Sequence, residues 1–536
     1  MTYQARQTDL LRSHRIAAPA PRKPDATAAR RSTAFLTLVL TLAVMAALAQ
    51  GIMEWTLWSV IAMILALPSI LWIAGGAATS IIGLRVAQHA PFLPRADWRP
   101  DGRTAILVML CREDAGALAG RLQEVSRQLG RAGLADHADL IVLSDTFGDT
   151  AIAAEMAALA PLIAAGVIRY RRRSLNTGRK PGNIADWFEQ DGHRYAQMLV
   201  LDADSRMSGA RIARMIHRME SDPGMGLLQA GMGLVPATSR FGQSQRLAAR
   251  LLGPSFARGL AAWSGETGNY WGHNALIRCA AFAAAVRLPP LPGAAPFGGD
   301  ILSHDFVEAA VIRSKGWSVV FDPDPTGSLE DGPQTLASFH KRNRRWCQGN
   351  LQHLRLIGGR GLHPLSRLHM ASGIFSFLAA PIWLALVILM GTGMVTLQGA
   401  LPLVMILWLL MLPKLCGFWR LSGPAATPWR RRVALRALGA ETLLSGLLAP
   451  VVMLHQTGAV LAVLAGRDCG WKTGRGAGAM LPQGLAEASA GAALVALVVL
   501  VNPAAALWLL PVAGPMIAAP VLIPWMDRIT RGSHPA

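Results

Sequence analysis

Residues 198–205 read Met-Leu-Val-Leu-Asp-Ala-Asp-Ser, and this stretch decides the fold. Four apolar residues run together and then stop at Asp202-Ala203-Asp204. A short, continuous apolar run that ends in polar chemistry is the pattern of a parallel strand buried on both faces. Its counterpart is residues 140–146, Leu-Ile-Val-Leu-Ser-Asp-Thr, which ends at Ser144-Asp145. In open α/β sheets, ligands sit beyond the carboxyl ends of the strands. Asp145, Asp202 and Asp204 are therefore expected to converge on one crevice. Two carboxylates two residues apart at a strand end suit a hard divalent cation, Mg2+ or Mn2+, bridging to phosphate oxygens.

Working outward, further strand-like runs occur at residues 104–110, 167–170 and 225–228. They alternate with helix-like stretches at 115–129 and 210–219. That alternation predicts a doubly wound, mostly parallel sheet within a soluble segment spanning residues 84–360.

The rest of the chain is different. Its 536 residues are 52% hydrophobic and carry a net charge of +20. Apolar runs at 33–53, 57–82, 368–395 and 401–421 reach the roughly 20 residues that a bilayer requires. A final pair is expected at 486–510 and 512–525, giving about six crossings. The joints at Glu54 and at Gln398-Gly399 hold no Lys or Arg, whereas the other flanks are rich in Arg. This places the joints outside, and both termini and the soluble segment in the cytoplasm. Residues 434–465 are apolar but basic at both ends, so they are expected to lie at the inner interface rather than to cross. The organisation is a tail at 1–32, expected to be disordered, a helical pair at 33–83, the soluble domain at 84–360 and a second pair at 361–425. An interfacial segment with a loop follows at 426–482, and a last pair with a short tail at 483–536.

The basic residues lie beside apolar spans and form no face interleaved with aromatic residues, which argues against nucleic acid as a partner. The five cysteines (111, 279, 347, 416 and 469) form no CxxC pair, so neither a zinc site nor a disulfide frame is expected.

Four chemical groups stand in order: Cys111-Arg112-Glu113-Asp114, Ser144-Asp145, Asp202-Ala203-Asp204, and Ser303-His304-Asp305 followed by Arg342-Asn343-Arg344-Arg345-Trp346. This order resembles family 2 glycosyltransferases of the cellulose- and hyaluronan-synthase type. Their pattern is D, DxD, a base aspartate, then Q-x-x-R-W, with Arg342 standing here where those enzymes have glutamine. Longer strings are similar to the glucans biosynthesis glucosyltransferase H family: 270–275 (YWGHNA), 302–309 (LSHDFVEA) and 344–353 (RRWCQGNLQH).

The resemblance implies a GT-A type catalytic domain of the α/β class, inserted in an α-helical transmembrane domain of the bacterial inner membrane. It implies UDP-glucose as donor, a growing β-1,2-linked glucan chain as acceptor and product, and translocation through the spans. The implied partners are the lipid bilayer, a periplasmic glucan-modifying protein (family protein G) and acyl carrier protein.

Residue roles follow from chemistry and agree with the resemblance. Asp145 would accept hydrogen bonds from uracil or ribose, and Glu113 would line the uracil pocket. Asp202 would face the nucleotide, and Asp204, with Asp202, would hold Mg2+ or Mn2+. Lys180 would meet the nucleotide, or else be a solvated lysine. Asp305 would be the general base, since one carboxylate suffices for direct displacement of an activated diphosphate; its bland alternative is a helix N-cap. Arg342 and Arg345 would cover the pyrophosphate with planar guanidinium donors. Trp346 would stack on the acceptor sugar, with Trp271, His273 and Asn274 bordering the hexose or else forming a packed turn. The loop 466–476 would bring Trp471, Lys472 and Thr473 over the nucleotide.

Three rivals are weighed against this. A glycosyltransferase loading a polyprenyl phosphate would need no Arg345-Trp346 element. A non-enzymatic transporter should place its charges inside the spans. A Rossmann dehydrogenase should show GxGxxG after the first strand, and none is there.

Overall fold

The computed structural model describes residues 26–86, 93–95, 97–423, 426–469 and 483–530. It opens with two long helices, α1 (Ala26–Gly51) and α2 (Leu57–Arg85). The α/β segment follows: β1 (Thr104–Leu110), α3 (Ala115–Arg131), β2 (Ala138–Ser144), α4 (Asp149–Ala164), β3 (Arg169–Arg172), α5 (Arg179–Asp191), β4 (Gln197–Asp202), β5 (Arg206–Met207), α6 (Gly209–Glu220), β6 (Met225–Ala230) and β7 (Gly233–Leu234). Next come α7 (Arg240–Ser264), β8 (Ala275–Arg278), α8 (Cys279–Phe282), α9 (His304–Ser314), β9 (Ser318–Asp322), β10 (Ser328–Glu330) and α10 (Leu336–Gln352). The chain ends in α11 (Pro364–Gly391), α12 (Leu401–Leu421), α13 (Pro428–Leu464), α14 (Leu485–Val501), α15 (Ala506–Ile517) and α16 (Ala519–Asp527).

Seven strands form one sheet in the order β3-β2-β1-β4-β8-β6-β9. Every pairing is parallel except the two made by β8, which is antiparallel to β4 and β6. The expected mostly parallel sheet is present. β8 and β9 were not legible beforehand, because each is short and bounded by polar turns. β1 is buried along its whole length, so apolar side chains are needed on both faces and no alternation shows. On one face Leu107, Leu143 and Val200 pack with Trp187 and Phe188 of α5. On the other, Val108, Val142 and Leu201 pack with Leu118 and Leu122 of α3 and Ile212 and Ile216 of α6. Each such side chain contributes about 1.5–3 kcal/mol on burial. Strand order reverses at β1, whose neighbours are β2 and β4. The crevice at a reversal is where α/β sheets bind ligands.

Among the described residues, five helices are long and apolar enough to cross a membrane: α1, α2, α11, α12 and α13. The bent pair α15–α16, with a 51° angle at its break, makes a sixth candidate. The last pair differs from expectation: α14 stops at Val501 because Asn502-Pro503 follows, and prolines break the return. The ends of these helices separate into two levels. Away from the sheet, Gln398 donates to the carbonyl of Gly51, and Gly393 lies against Asn502. On the sheet side, Arg30 donates to the carbonyls of Trp263 and Ser264, and the backbone N–H of Leu336 donates to Asp527.

α7 is the interface helix that periodicity missed. It crosses the sheet-side ends of α2 and α12 backbone to backbone. A Cβ on Gly83 would lie 1.7 Å from the carbonyl oxygen of Ser255, and one on Gly417 would lie 2.2 Å from that of Leu251. α13 is one continuous helix of 37 residues. Leu448 and Val451 pack on α7, α10 and α16, while Val460 and Val463 pack on α10 and α11. The chain beyond Leu464 returns to α10, where Gln348 meets Asp468 and the backbone of Cys469.

Candidate active site

The crevice is built from strand ends. β1, β2 and β4 deliver Cys111, Asp145 and Asp202 to one edge because they are parallel and in register. Cys111 Sγ reaches the carbonyl of Asp145, and the backbone N–H of Arg112 donates to Thr146 Oγ1 at 2.9 Å. Glu113 folds back to accept from the backbone N–H of Cys111. Asp145 is only 7% exposed. Arg173 grips it with two bonds, 2.6 Å to Oδ1 and 3.1 Å to Oδ2, and Asn183 adds a third at 3.0 Å. Burial raises the Asp145 carboxyl above its usual range, against the pull of Arg173. Any uracil or ribose contact would use the remaining lone pairs.

α5 supplies the cation. Its start is set by Gly178 and Arg179, both in the left-handed region. A Cβ at Gly182 would meet the carbonyl oxygen of Thr177 at 2.0 Å, so the turn closes only on glycine. That turn aims Lys180 across the crevice, where Nζ donates to Asp202 and, at 2.7 Å, to the carbonyl of Gly272. Lys180 is therefore no freely solvated lysine. Burial pushes the Asp202 carboxyl up, but Lys180 outweighs it and the net shift is downward. Asp204 is pushed up to about 6, first by burial and then by the neighbouring charge of Asp202. A second carboxylate that resists ionisation for lack of a cation fits a divalent ion. Among the described residues no group of three metal ligands occurs, so an ion held by Asp202 and Asp204 would be completed by the oxygens of water or of a ligand.

Asp305 is the second residue of α9 and not its N-cap; Ser303 holds that place. Its carboxylate lies where Gly272, at φ +86°, leaves room, 3.5 Å from the position of a Cβ. Burial raises its pKa, and the charge of His304 acts against that rise. The strip between β4 and Asp305 is residues 270–274. Trp271 packs edge-on against Phe321 at 4.9 Å. His273 pairs with Glu330 at 3.3 Å. Burial lowers the His273 pKa, but Glu330 and Asp202 raise it more, so the net shift is upward. Asn274 is a correction: it is fully buried, takes φ +51° and donates its amide to Ser328 Oγ at 3.0 Å. It shapes the turn and offers no side-chain surface to an acceptor.

α10 covers the crevice from the helical side. The Arg342 guanidinium stacks on Trp346 at 4.5 Å, and Trp346 is 47% exposed. Arg345 lies within electrostatic reach of Glu113, Arg342 and Cys469. Gln348, 2% exposed, donates to Asp468 at 2.7 Å and accepts from the N–H of Cys469 at 2.7 Å. This leads the chain leaving α13 to the arginines. Trp471, Lys472 and Thr473 lie outside the described residues.

The structure thus gathers Asp202, Asp204, Lys180, Asp305, His273 and Trp271 at one crevice, with Asp145 and Glu113 at one end and Arg342, Arg345 and Trp346 above. Sequence reasoning missed Arg173, Asn183, Gly272 and Gln348. The arginine-rich β3 and the glycines flanking Lys180 were the available signals.

A model of glycosyl transferase family group 2 matches residues 198–419. Two curated relatives carry the same name, glucans biosynthesis glucosyltransferase H. The protein of Xanthomonas campestris pv. campestris (strain B100) is 39% identical over 461 residues, covering 78% of this chain and 71% of that one. That of Cereibacter sphaeroides is 37% identical over 511 residues, covering 88% and 85%. A mannosyltransferase from Pyrobaculum calidifontis, solved with GDP-Man and Mn2+, superposes at TM-score 0.45 and 15% identity, over 76% of this chain and 99% of that one.

Proposed function

The chain belongs to the glucans biosynthesis glucosyltransferase H family, and from that premise we propose that it is a processive, inverting β-glucosyltransferase. It draws UDP-glucose from the cytoplasm and builds and exports the β-1,2-linked backbone of a periplasmic glucan. One observation carries the reading. Lys180 ties Asp202 to the backbone of Gly272, and Gly272 abuts Asp305, so donor end and base form one continuous line.

The residues then act in order. Asp145 and Glu113 receive the nucleoside. Lys180, Arg342 and Arg345 place positive charge around the diphosphate. A bound Mg2+ or Mn2+, held by Asp202 and Asp204, would neutralise the departing phosphate oxygens. The acceptor hydroxyl oxygen attacks the anomeric carbon from the face opposite the diphosphate. Its proton passes to Asp305, the new C–O bond forms, and the bond to the phosphate oxygen breaks with its electrons leaving on UDP. Displacement from one face turns an α-linked donor into a β-linked product.

Trp346 would stack on the acceptor end, beside helices that run into the bilayer. Far-side joints without Lys or Arg and an Arg-rich near side favour a cytoplasmic catalytic domain in a bacterial inner membrane. Family resemblance adds a periplasmic glucan-modifying partner and acyl carrier protein.

The test uses purified protein in lipid nanodiscs with Mg2+ or Mn2+ and each of several UDP-sugars. UDP release with UDP-glucose and a β-1,2 polymer by linkage analysis is the expected result. A lipid-linked monosaccharide, or consumption of none of the donors, overturns the reading.

A further inference from the structure

α9 buries a second carboxylate directly behind the base. His304 and Glu308 stand one helical turn apart, so their side chains meet on one face. His304 Nδ1 lies 2.8 Å from Glu308 Oε1, and the two residues are 9% and 3% exposed. Among the described residues no other hydrogen-bond donor reaches Glu308. The bland reading is a pair of buried groups that satisfy each other. An apolar pair of similar volume would fill the same space without desolvating two ionisable groups. The pair also adds a negative group to a crevice that already holds Asp202, Asp204 and Asp305. Its cationic member is the residue next to the base.

We propose that Glu308 holds His304 as an imidazolium, and that this charge keeps the buried Asp305 ionised and oriented to receive the acceptor's proton. Both are positioning residues, since neither meets the sugar. The idea rests on Asp305 being the base. Burial disfavours the charged imidazole, but Glu308 and Asp305 outweigh it and the net shift of His304 is upward. The same imidazolium opposes the rise that burial and, more weakly, the charge of Glu308 impose on Asp305. The other groups in electrostatic reach are Lys180 from α5, Asp202 from β4 and Tyr270 before β8. His353, behind Ser303, is pushed down to about 4 by burial and brings no charge at neutral pH.

The test is the pH profile of kcat/KM for UDP release, with UDP binding as the check of folding. An ion pair of this kind moves a carboxylate by about one unit or more. His304→Gln should therefore shift the acidic limb upward by about one pH unit. It should recover to within a few-fold above the limb and leave UDP affinity unchanged. Glu308→Gln, which is nearly isosteric, should move the limb in the same direction but less far, because it also removes a carboxylate that raises Asp305, and the double variant should move it no further than His304→Gln. His304→Lys, which keeps a cation within reach of Glu308, should retain the native limb. A uniform loss at every pH, or a limb that stays in place in Glu308→Gln, overturns the proposal. If His304→Gln does not fold, Glu308→Gln decides alone. Asp305→Asn separates the two ideas. Turnover in that variant sinks the base itself, whereas a dead Asp305→Asn beside an unmoved limb sinks only the pair.

Discussion

Lys180 and Asp202 form an ion pair across the mouth of the crevice, and the same ammonium holds the carbonyl of Gly272 at 2.7 Å. The pair joins α5, β4 and the turn beside Asp305 through one side chain. Lys180 thereby sets the charge beside Asp202 and ties down the turn that abuts Asp305. Its loss leaves Asp202 and Asp204 repelling each other without compensation. Lys180→Ala should reduce kcat/KM for UDP-glucose roughly 100-fold, the scale seen when one preorganised electrostatic donor is removed. Lys180→Arg should recover part of it. Steady-state kinetics at saturating Mg2+ decide, and native-like values in Lys180→Ala would remove Lys180 from the site.

Asp204 gives the clearest pH dependence. Burial and the charge of Asp202 push its carboxyl up to about 6. A divalent ion needs the ionised form, so ion affinity should fall as pH drops through about 6. The stability effect has the opposite sign. The folded state holds this proton more tightly than the unfolded chain, so without ion the fold loses stability as pH rises from the ordinary carboxylate range through about 6. Asp204→Asn should thus raise the ion-free Tm by roughly a few degrees at pH 8, about half as much at pH 5, and little below the ordinary carboxylate range. Turnover should be lost at both. Calorimetry with and without Mg2+ checks this, and an ion-free Tm that falls at pH 8 contradicts it.

Gly272 sits at φ +86° with its missing Cβ 3.5 Å from Asp305 Oδ2. Gly272→Ala must strain the backbone or push the base aside. The fold should lose about 1 kcal/mol. Activity should fall about tenfold or more, since small displacements of a catalytic group are costly. Equal activity in the two proteins would mean that the turn does not locate Asp305.

Gln348 clamps Asp468 and the backbone of Cys469 from a buried position. Gln348→Ala leaves those groups without their partner, at about 1–3 kcal/mol for each one that stays buried. Amide exchange at residues 466–469 should accelerate at least tenfold while the sheet strands keep their protection. Unchanged exchange there would show that the clamp is incidental.

Lys414 on α12 meets Glu441 on α13 at 2.5 Å and Ser445 at 2.7 Å. Lys414 is 14% and Glu441 5% exposed at the side chain. Breaking a buried pair by removing one partner costs about 3–5 kcal/mol. Lys414→Met and Glu441→Leu should each destabilise the protein by that order in detergent, while the double variant should recover most of it. Additive losses would argue that the two charges are independently solvated.

Much of the catalytic segment was legible. β1 was delimited to the residue, and β2 and β4 to within a few, because doubly buried strands need unbroken apolar runs. The carboxylates at their ends followed from the same rule. β8 and α7 were not legible, since β8 is four residues long and α7 mixes arginine with apolar residues on an interface. For Asn274 the packed turn is the reading that holds, which a motif does not decide because a buried left-handed asparagine and an exposed binding asparagine look the same in it.

By itself, the sequence determined which segments are strands with acidic ends and which are long apolar helices. Those properties are local, written in consecutive side chains and their solubility. Only the tertiary structure decided that Lys180 joins Asp202 to the backbone of Gly272, that Gln348 reaches Asp468, and that α13 packs on both α10 and α11. Polar groups choose partners by position after the sheet order and helix docking are set, and a linear pattern does not encode those distances.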